Sequence, residues 1–194
     1  NKPFKTERFS NLWDKVEAAD ILPNATLAST LLKDVPSFSS ASMSVVVDDG
    51  WQKEWGQWEA NEKFPQGMAS LVSDIEAKGW KAGIWLAPLL VAPTSPVALE
   101  HPEWLVGGAE FLHPIHGGLK VLDVTHPEAA AHLEKTIESI VDWGFHLLKI
   151  DFLFAGTFGG TRNIPMLGME AYAKALSLIR DAAGEDVILL AVGA

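Results

Sequence analysis

From about residue 43 onward, short unbroken apolar runs alternate with stretches in which apolar residues return every three or four positions. The runs "SMSVVV" (42–47), "KAGIWLA" (81–87), "FHLLKID" (145–151) and "DVILLAV" (186–192) predict β-strands, being short, rich in β-branched and large apolar residues, and bounded by polar or glycine positions. Three helices are predicted between and after them. The first follows Pro65, places Met68, Leu71, Val72 and Ile75 on one face, and stops at Gly79. The second covers 125–144, with Thr125 as N-cap, Pro127 in the first turn, Leu133, Ile137 and Ile140 on one stripe, and Gly144 as the stop. The third covers 163–184 and ends at Gly184.

Strand followed by helix, repeated, is the order of a parallel α/β sheet. The strands are apolar throughout rather than alternating, as a parallel strand covered on both faces must be. Neither a G-x-G-x-x-G nor a P-loop follows any strand, which removes the main support for a nucleotide-binding fold. The charged residues stand instead just after strand C-termini, where a (β/α) barrel builds its site. The expected fold is therefore α/β, a partial (β/α)8 TIM barrel of about the first four to five βα units. A whole barrel takes about 250 residues, so residues 1–194 read as one segment of a catalytic barrel. Residues 1–40 carry little pattern beyond a weak strand at "FSNLWDKV" (9–16), and 88–121 read as an insertion, a hairpin over the site.

Composition narrows the partners. Twenty-five acidic residues against 15 basic ones give a net charge of −10, which repels phosphate backbones and anionic lipid; neither nucleic acid nor a membrane is an expected partner. No window approaches the about 20 uninterrupted apolar residues of a membrane helix. With no cysteine, disulfides and thiolate metal sites are excluded. The six histidines show no metal-ligand spacing, and only His113 and His116 are close, so no metal and no cofactor are expected. The chain opens with Asn1 rather than methionine, which is compatible with a removed leader; a cytoplasmic location is the default expectation, and homo-oligomerisation is left open.

Two charged pairs carry the chemistry. In "LLKIDFLFAG" (147–156), Lys149 and Asp151 are two apart on a strand, project to one face and can meet. An ammonium nearby keeps a carboxylate ionised against the pull of burial, which is the state a nucleophile requires; the competing reading is a buried ion pair that only sets register. In "VVVDDGWQ", Asp48 and Asp49 end another strand, and Gly50 permits the turn that would bring both into one pocket; an ordinary D-G turn is the competing reading. Eight tryptophans accompany them. Trp51, Trp55 and Trp58 share a face if their segment is helical, and Trp85 ends a strand next to "AP". Flat rings beside carboxylates suit a pyranose, although ordinary packing explains the three loop tryptophans as well. The glycine-rich "GTFGGTRN" (156–163), with Arg162, reads either as a phosphate-holding loop without the P-loop lysine or as a flexible βα loop.

The stretch "VVVDDGWQKEWGQWEANEKFPQGMASLVSDIEAKGWKAGIWLAPLLVAPTSPVALEHPEWLV", then "VLDVTHPEA", then "LLKIDFLFAG" resembles the catalytic barrel of alpha-galactosidases of the melibiase type, glycoside hydrolase clan D, nearest to family thirty-six. The likeness runs from Val45 to Ala194, and "NLWD" (11–14) faintly echoes the family's first strand. The resemblance implies a retaining hydrolase of α-D-galactosides. Asp151 matches its nucleophile, Lys149 the lysine that bonds sugar hydroxyls, Asp48 and Asp49 the pair at the far edge of the galactose, and Trp85 and Trp51 the ring-stacking walls. It also implies that the acid/base carboxyl lies beyond the fifth strand, outside the sequence, since Asp123 in "VLDV" matches a family position without that role. A chain with half of the pair would turn over weakly. Val192, in "LLAVGA", stands where relatives commonly have a cysteine-containing turn near the sugar.

Two other functions compete with this one. A non-catalytic galactose-binding barrel fragment would bind without turnover. An aldolase-like barrel would use Lys149 as a Schiff-base amine, but the adjacent Asp151 favours the protonated lysine.

Overall fold

In the computed structural model, residues 16–35 and 43–193 are described. The weak strand at 9–16 and "NLWD" lie outside them, apart from Val16 itself. In chain order the elements are α1 (Ala18–Leu32), β1 (Ser44–Val47), β2 (Gln52–Glu54), β3 (Gln57–Ala60), α2 (Met68–Glu76), β4 (Lys81–Leu86) and β5 (Leu90–Val91). There follow α3 (Pro96–Glu100), β6 (Leu105–His113), β7 (Gly117–Leu122), α4 (Pro127–Asp142), β8 (Leu147–Ile150), α5 (Gly168–Ala183) and β9 (Ile188–Ala191).

The four apolar runs form one parallel sheet in the order β1-β4-β8-β9, with Val47 beside Ile84, Trp85 beside Lys149 and Ile150 beside Ala191. This is the expected α/β architecture, four successive parallel strands of a partial barrel. Of the two inner strands, β4 is buried from Ala82 to Leu86 and β8 at Leu148 and Ile150. Met68, Leu71, Val72 and Ile75 of α2, and Leu133, Ile137 and Ile140 of α4, are the buried stripes that the sequence spacing predicts. On α5 the buried residues are Ala171, Ala175, Ile179 and Ala183, a flat stripe that lets the helix approach closely. No helix among the described residues is long and apolar enough to cross a membrane.

Two additions sit on this sheet. Residues 52–60 form the antiparallel hairpin β2–β3 rather than a helix, turning at Gly56, whose φ of 95° suits glycine and where a Cβ would come within 2.9 Å of Val91. Residues 90–122 form a three-stranded antiparallel sheet, β5-β7-β6, whose β6–β7 hairpin ends at Pro114–His116. One bridge, Gly107 to Thr161, ties this sheet to the segment following β8. The N-cap of α4 is His126 and not Thr125, whose side chain is buried and engaged elsewhere.

Candidate active site

The site is assembled from the C-terminal ends of β1, β4 and β8. At the end of β1, Gly50 takes a φ of 106°, the turn that the D-D-G sequence predicts, and the two aspartates point to different partners. Asp48 is half-exposed and accepts a hydrogen bond from Lys149 Nζ at 2.7 Å. Asp49 is buried and accepts from Gln52 Nε2 at 2.6 Å through Oδ1. Lys149 therefore does not pair with Asp151, as its position two residues away allowed. The parallel order β1-β4-β8 lets its long side chain cross β4 to Asp48, while Asp151 lies just past the strand.

Asp151 is fixed through both oxygens. Trp85 Nε1 donates to Oδ2 at 3.1 Å, and the backbone N–H of Phe152 donates to Oδ1 at 2.8 Å. Phe152 reaches that geometry in the left-handed region, with φ 53°, an unusual conformation for a bulky residue and a local strain tied to this carboxylate. Gly193, past β9, comes so near that an added Cβ would sit 3.1 Å from Asp151 Oδ1. A carboxylate held by two donors is aimed, with little rotamer freedom left to lose on reaction.

The tryptophans divide. Trp85 borders the site through its indole N–H alone: its ring is buried against Trp55 and Trp58 rather than lying open as the stacking wall expected there. Trp51 does not: it is wholly buried, its Nε1 donates to the Trp85 carbonyl at 2.7 Å, and its ring packs on Trp58 and Trp143. The expected stacking wall at Trp51 is thus a core residue in this structure, with no ring face left for a sugar. Trp55 touches more of the site. Its ring lies 5.3 Å from Trp85, 5.6 Å from Phe152 and 4.8 Å from His116.

His116 is the residue that sequence reasoning missed. From the tip of the β6–β7 hairpin its Nε2 comes within 3.5 Å of Asp49 Oδ2. The signal that could have found it is "HPIHGG", a glycine-closed turn inside the predicted insertion, since a hairpin laid over a barrel mouth delivers its tip residues to that mouth. A hollow of about 340 Å³ opens beside this pair, lined by Asp49, Gln52, Trp55, Asn61 and His116 among others. Its lining includes neither Asp48, Lys149 nor Asp151, so of the charged side chains at the ends of β1 and β8 the hollow adjoins Asp49 alone, together with His116 of the hairpin tip. No group of three or more side chains suited to a metal ion occurs among the described residues.

"GTFGGTRN" is neither a phosphate cradle nor a loose loop. The Arg162 side chain is buried, donates to the carbonyls of Gly156 and Phe158 at 3.0 and 2.9 Å, and lies 3.5 Å from Asp123 Oδ1. Asp123, also buried, accepts from the N–H and the hydroxyl of Thr125 and from the N–H of Asn163. This network fastens the segment after β8 to the turn between β7 and α4, and it leaves Asp123 no freedom to serve as an acid.

Two histidines bind pH to stability. Burial is the main force holding His113 below the ordinary histidine value of 6.5; His116 adds to it, and Asp49 and Asp151 oppose it. Burial likewise lowers His132, against a bond to the Gly56 backbone that raises it. Both are lowered on folding, so the unfolded chain takes up protons first as pH falls. Their contribution is complete above about 6.5 and is lost as pH drops through the lower folded values. The midpoint of thermal unfolding is expected to fall between pH 7 and 5, and the double variant His113→Asn with His132→Asn to show a shallower fall.

Comparison with known proteins gives the same assignment. The family model for Melibiase matches residues 29–153. Alpha-galactosidase 2 of Hypocrea jecorina is 28% identical over 153 residues, 70% of this chain and 20% of that one. An isomalto-dextranase of Arthrobacter globiformis is 30% identical over 155 residues, 72% of this chain and 22% of that one. The solved structure of TtGalA, an alpha-galactosidase from Thermus thermophilus in complex with stachyose, superposes with a TM-score of 0.80 at 30% identity, covering 96% of this chain and 39% of that one. The chain thus spans a fifth to two fifths of the length of these relatives. The family match covers well over half of the sequence and includes every charged strand end described above: this chain belongs to the melibiase family of glycoside hydrolases.

Proposed function

We propose that this chain supplies the nucleophile half of the site of a retaining hydrolase acting on α-D-galactosides. The observation that carries the reading is Asp151, a carboxylate just past β8 held through both oxygens, with Lys149 two residues before it bonded to Asp48 at the end of β1. In the first step an Asp151 oxygen attacks the anomeric carbon, forming a glycosyl ester as the bond to the aglycone breaks. The aglycone oxygen takes a proton from the acid partner. Water then attacks the same carbon, gives its proton to that partner and releases Asp151. The resemblance puts the acid/base carboxyl on a later strand. Asp48, Asp49 and Lys149 bind the hydroxyl edge, and Trp85 sets the orientation of the nucleophile.

The test is the configuration of the first product. Proton NMR during hydrolysis of p-nitrophenyl α-galactoside by the protein should show α-galactose forming before mutarotation; β-galactose first would refute double displacement. The likeness to an isomalto-dextranase supports a second reading, in which the same machinery takes α-glucosides of dextran type. Comparing kcat/KM on the p-nitrophenyl α-galactoside and α-glucoside separates the two, and binding of galactose without any turnover would favour a non-catalytic sugar-binding role.

A further inference from the structure

We propose that His116 is a sugar-contacting residue of this site, presenting a ring N–H to the same sugar hydroxyl that Asp49 accepts from. The inference rests on the glycosidase reading above and adds to it a donor that the strand ends do not provide.

The position of His116 is built rather than incidental. β6 and β7 pair up to His113 opposite Gly117, so that Pro114, Ile115 and His116 make the turn. Within the turn His113 Nδ1 accepts from the backbone N–H of both Ile115 and His116, at 3.2 Å each. His113 in turn packs against Phe152, 5.4 Å away, the residue that holds Asp151. The His116 ring rests 4.8 Å from both Trp55 and His113. Hairpin tip, nucleophile loop and the β2–β3 hairpin are thereby clamped together through aromatic rings.

The polar atoms at this clamp are incomplete. His116 Nε2 is buried and has no hydrogen-bond partner among the described residues. At 3.5 Å from Asp49 Oδ2 it stops short of a good bond. The other Asp49 oxygen is occupied by Gln52. A buried polar atom left without a partner is costly, and in native sites it commonly awaits a water or a ligand. A hydroxyl at the apex between the two would donate to Asp49 Oδ2 and accept from His116 Nε2–H, completing both. A sugar hydroxyl has both capacities, and the adjoining hollow of about 340 Å³ has room for the ring edge that carries it. The ligand class is a hexopyranoside with an unsubstituted hydroxyl at this edge.

Three substitutions separate the donor from the stacking. His116→Phe keeps a ring on Trp55 and removes the N–H; His116→Gln keeps an N–H at similar reach and removes the ring; His116→Ala removes both. With p-nitrophenyl α-galactoside, the Phe and Ala variants should raise KM about tenfold with kcat little changed, the loss of one hydrogen bond to a neutral hydroxyl. Gln should restore most of it. Across a set of monodeoxy galactosides, the parent should penalise loss of one particular hydroxyl, and His116→Phe should abolish that penalty. Thermal unfolding of each variant is measured alongside, and equal midpoints show that the fold is intact. An active parent whose KM is indifferent to Phe, or a Gln variant as impaired as Phe, overturns the donor role while leaving the glycosidase reading intact. A parent that neither cleaves nor binds galactosides overturns both.

Discussion

Asp151→Ala is expected to lower turnover of p-nitrophenyl α-galactoside by about 10⁴-fold or more, with KM changed far less. On the proposed mechanism the substitution removes the atom that forms the covalent bond, and the nearby strand-end carboxylates are engaged elsewhere: Asp48 is drawn to Lys149, and Asp49 is bound to Gln52. A loss of activity alone would also follow from misfolding, so a second readout is needed. The space vacated by the carboxylate admits a small anion, and added azide should attack the anomeric carbon directly to give the inverted β-galactosyl azide. Restored turnover with that product identifies the role of Asp151 as nucleophilic. Asp151→Asn keeps the shape but offers one acceptor oxygen to the two donors, Trp85 Nε1 and the Phe152 N–H, and should be equally slow with a lower thermal midpoint.

The largest effect on stability is expected at Asp123→Ala, which should destabilise the protein by about 3–5 kcal/mol. Asp123 and Arg162 have side-chain exposures of 1% and 2%. Removing the carboxylate strands a guanidinium away from water, where its remaining partners among the described residues are the carbonyls of Gly156 and Phe158. It also frees the N–H groups of Thr125 and Asn163 that the carboxylate satisfies. Urea denaturation is the measurement, read as a lower midpoint at constant slope. The double variant Asp123→Ala with Arg162→Leu should recover part of the loss, because the buried charge leaves with its partner. Full additivity of the two substitutions would show that the pair is not coupled.

What the sequence disclosed and what it hid follow from where the interactions lie along the chain. The four strands and the buried stripes of α2 and α4 were legible because burial imposes a local period, seen in Met68, Leu71, Val72 and Ile75. The turn at Asp48–Gly50 was legible for the same reason, since a glycine after two aspartates at a strand end is a local signal. α1 was not: its buried face amounts to Ile21 and Ala25, and Pro23 interrupts the pattern. The spacing of Trp51, Trp55 and Trp58 fits a helix as well as the hairpin that forms. Only the close approach of Gly56 to Val91 decides between them, and that contact is distant in sequence.

The partners of the charges were hidden more deeply. Lys149 stands two residues from Asp151 but bonds Asp48, 101 positions earlier, because strand order places β4 between their strands and leaves the lysine long enough to cross it. Arg162 finds Asp123 thirty-nine residues away, and the glycines around it suggested a ligand where the fold has a staple. His116 belongs to the same class, brought to Asp49 by a hairpin whose tip cannot be located until its pairing is known.

The central claim is that Asp151 is the residue that bonds the sugar, with Lys149, Asp48 and Asp49 around the same ring. Incubation of the protein with 2-deoxy-2-fluoro-α-galactosyl fluoride, followed by proteolysis and peptide mass spectrometry, tests it most directly. The account predicts one fluorogalactosyl adduct, on the peptide containing Asp151 and at that residue. An adduct on Asp48, Asp49 or Asp123, with Asp151 unmodified, would contradict it.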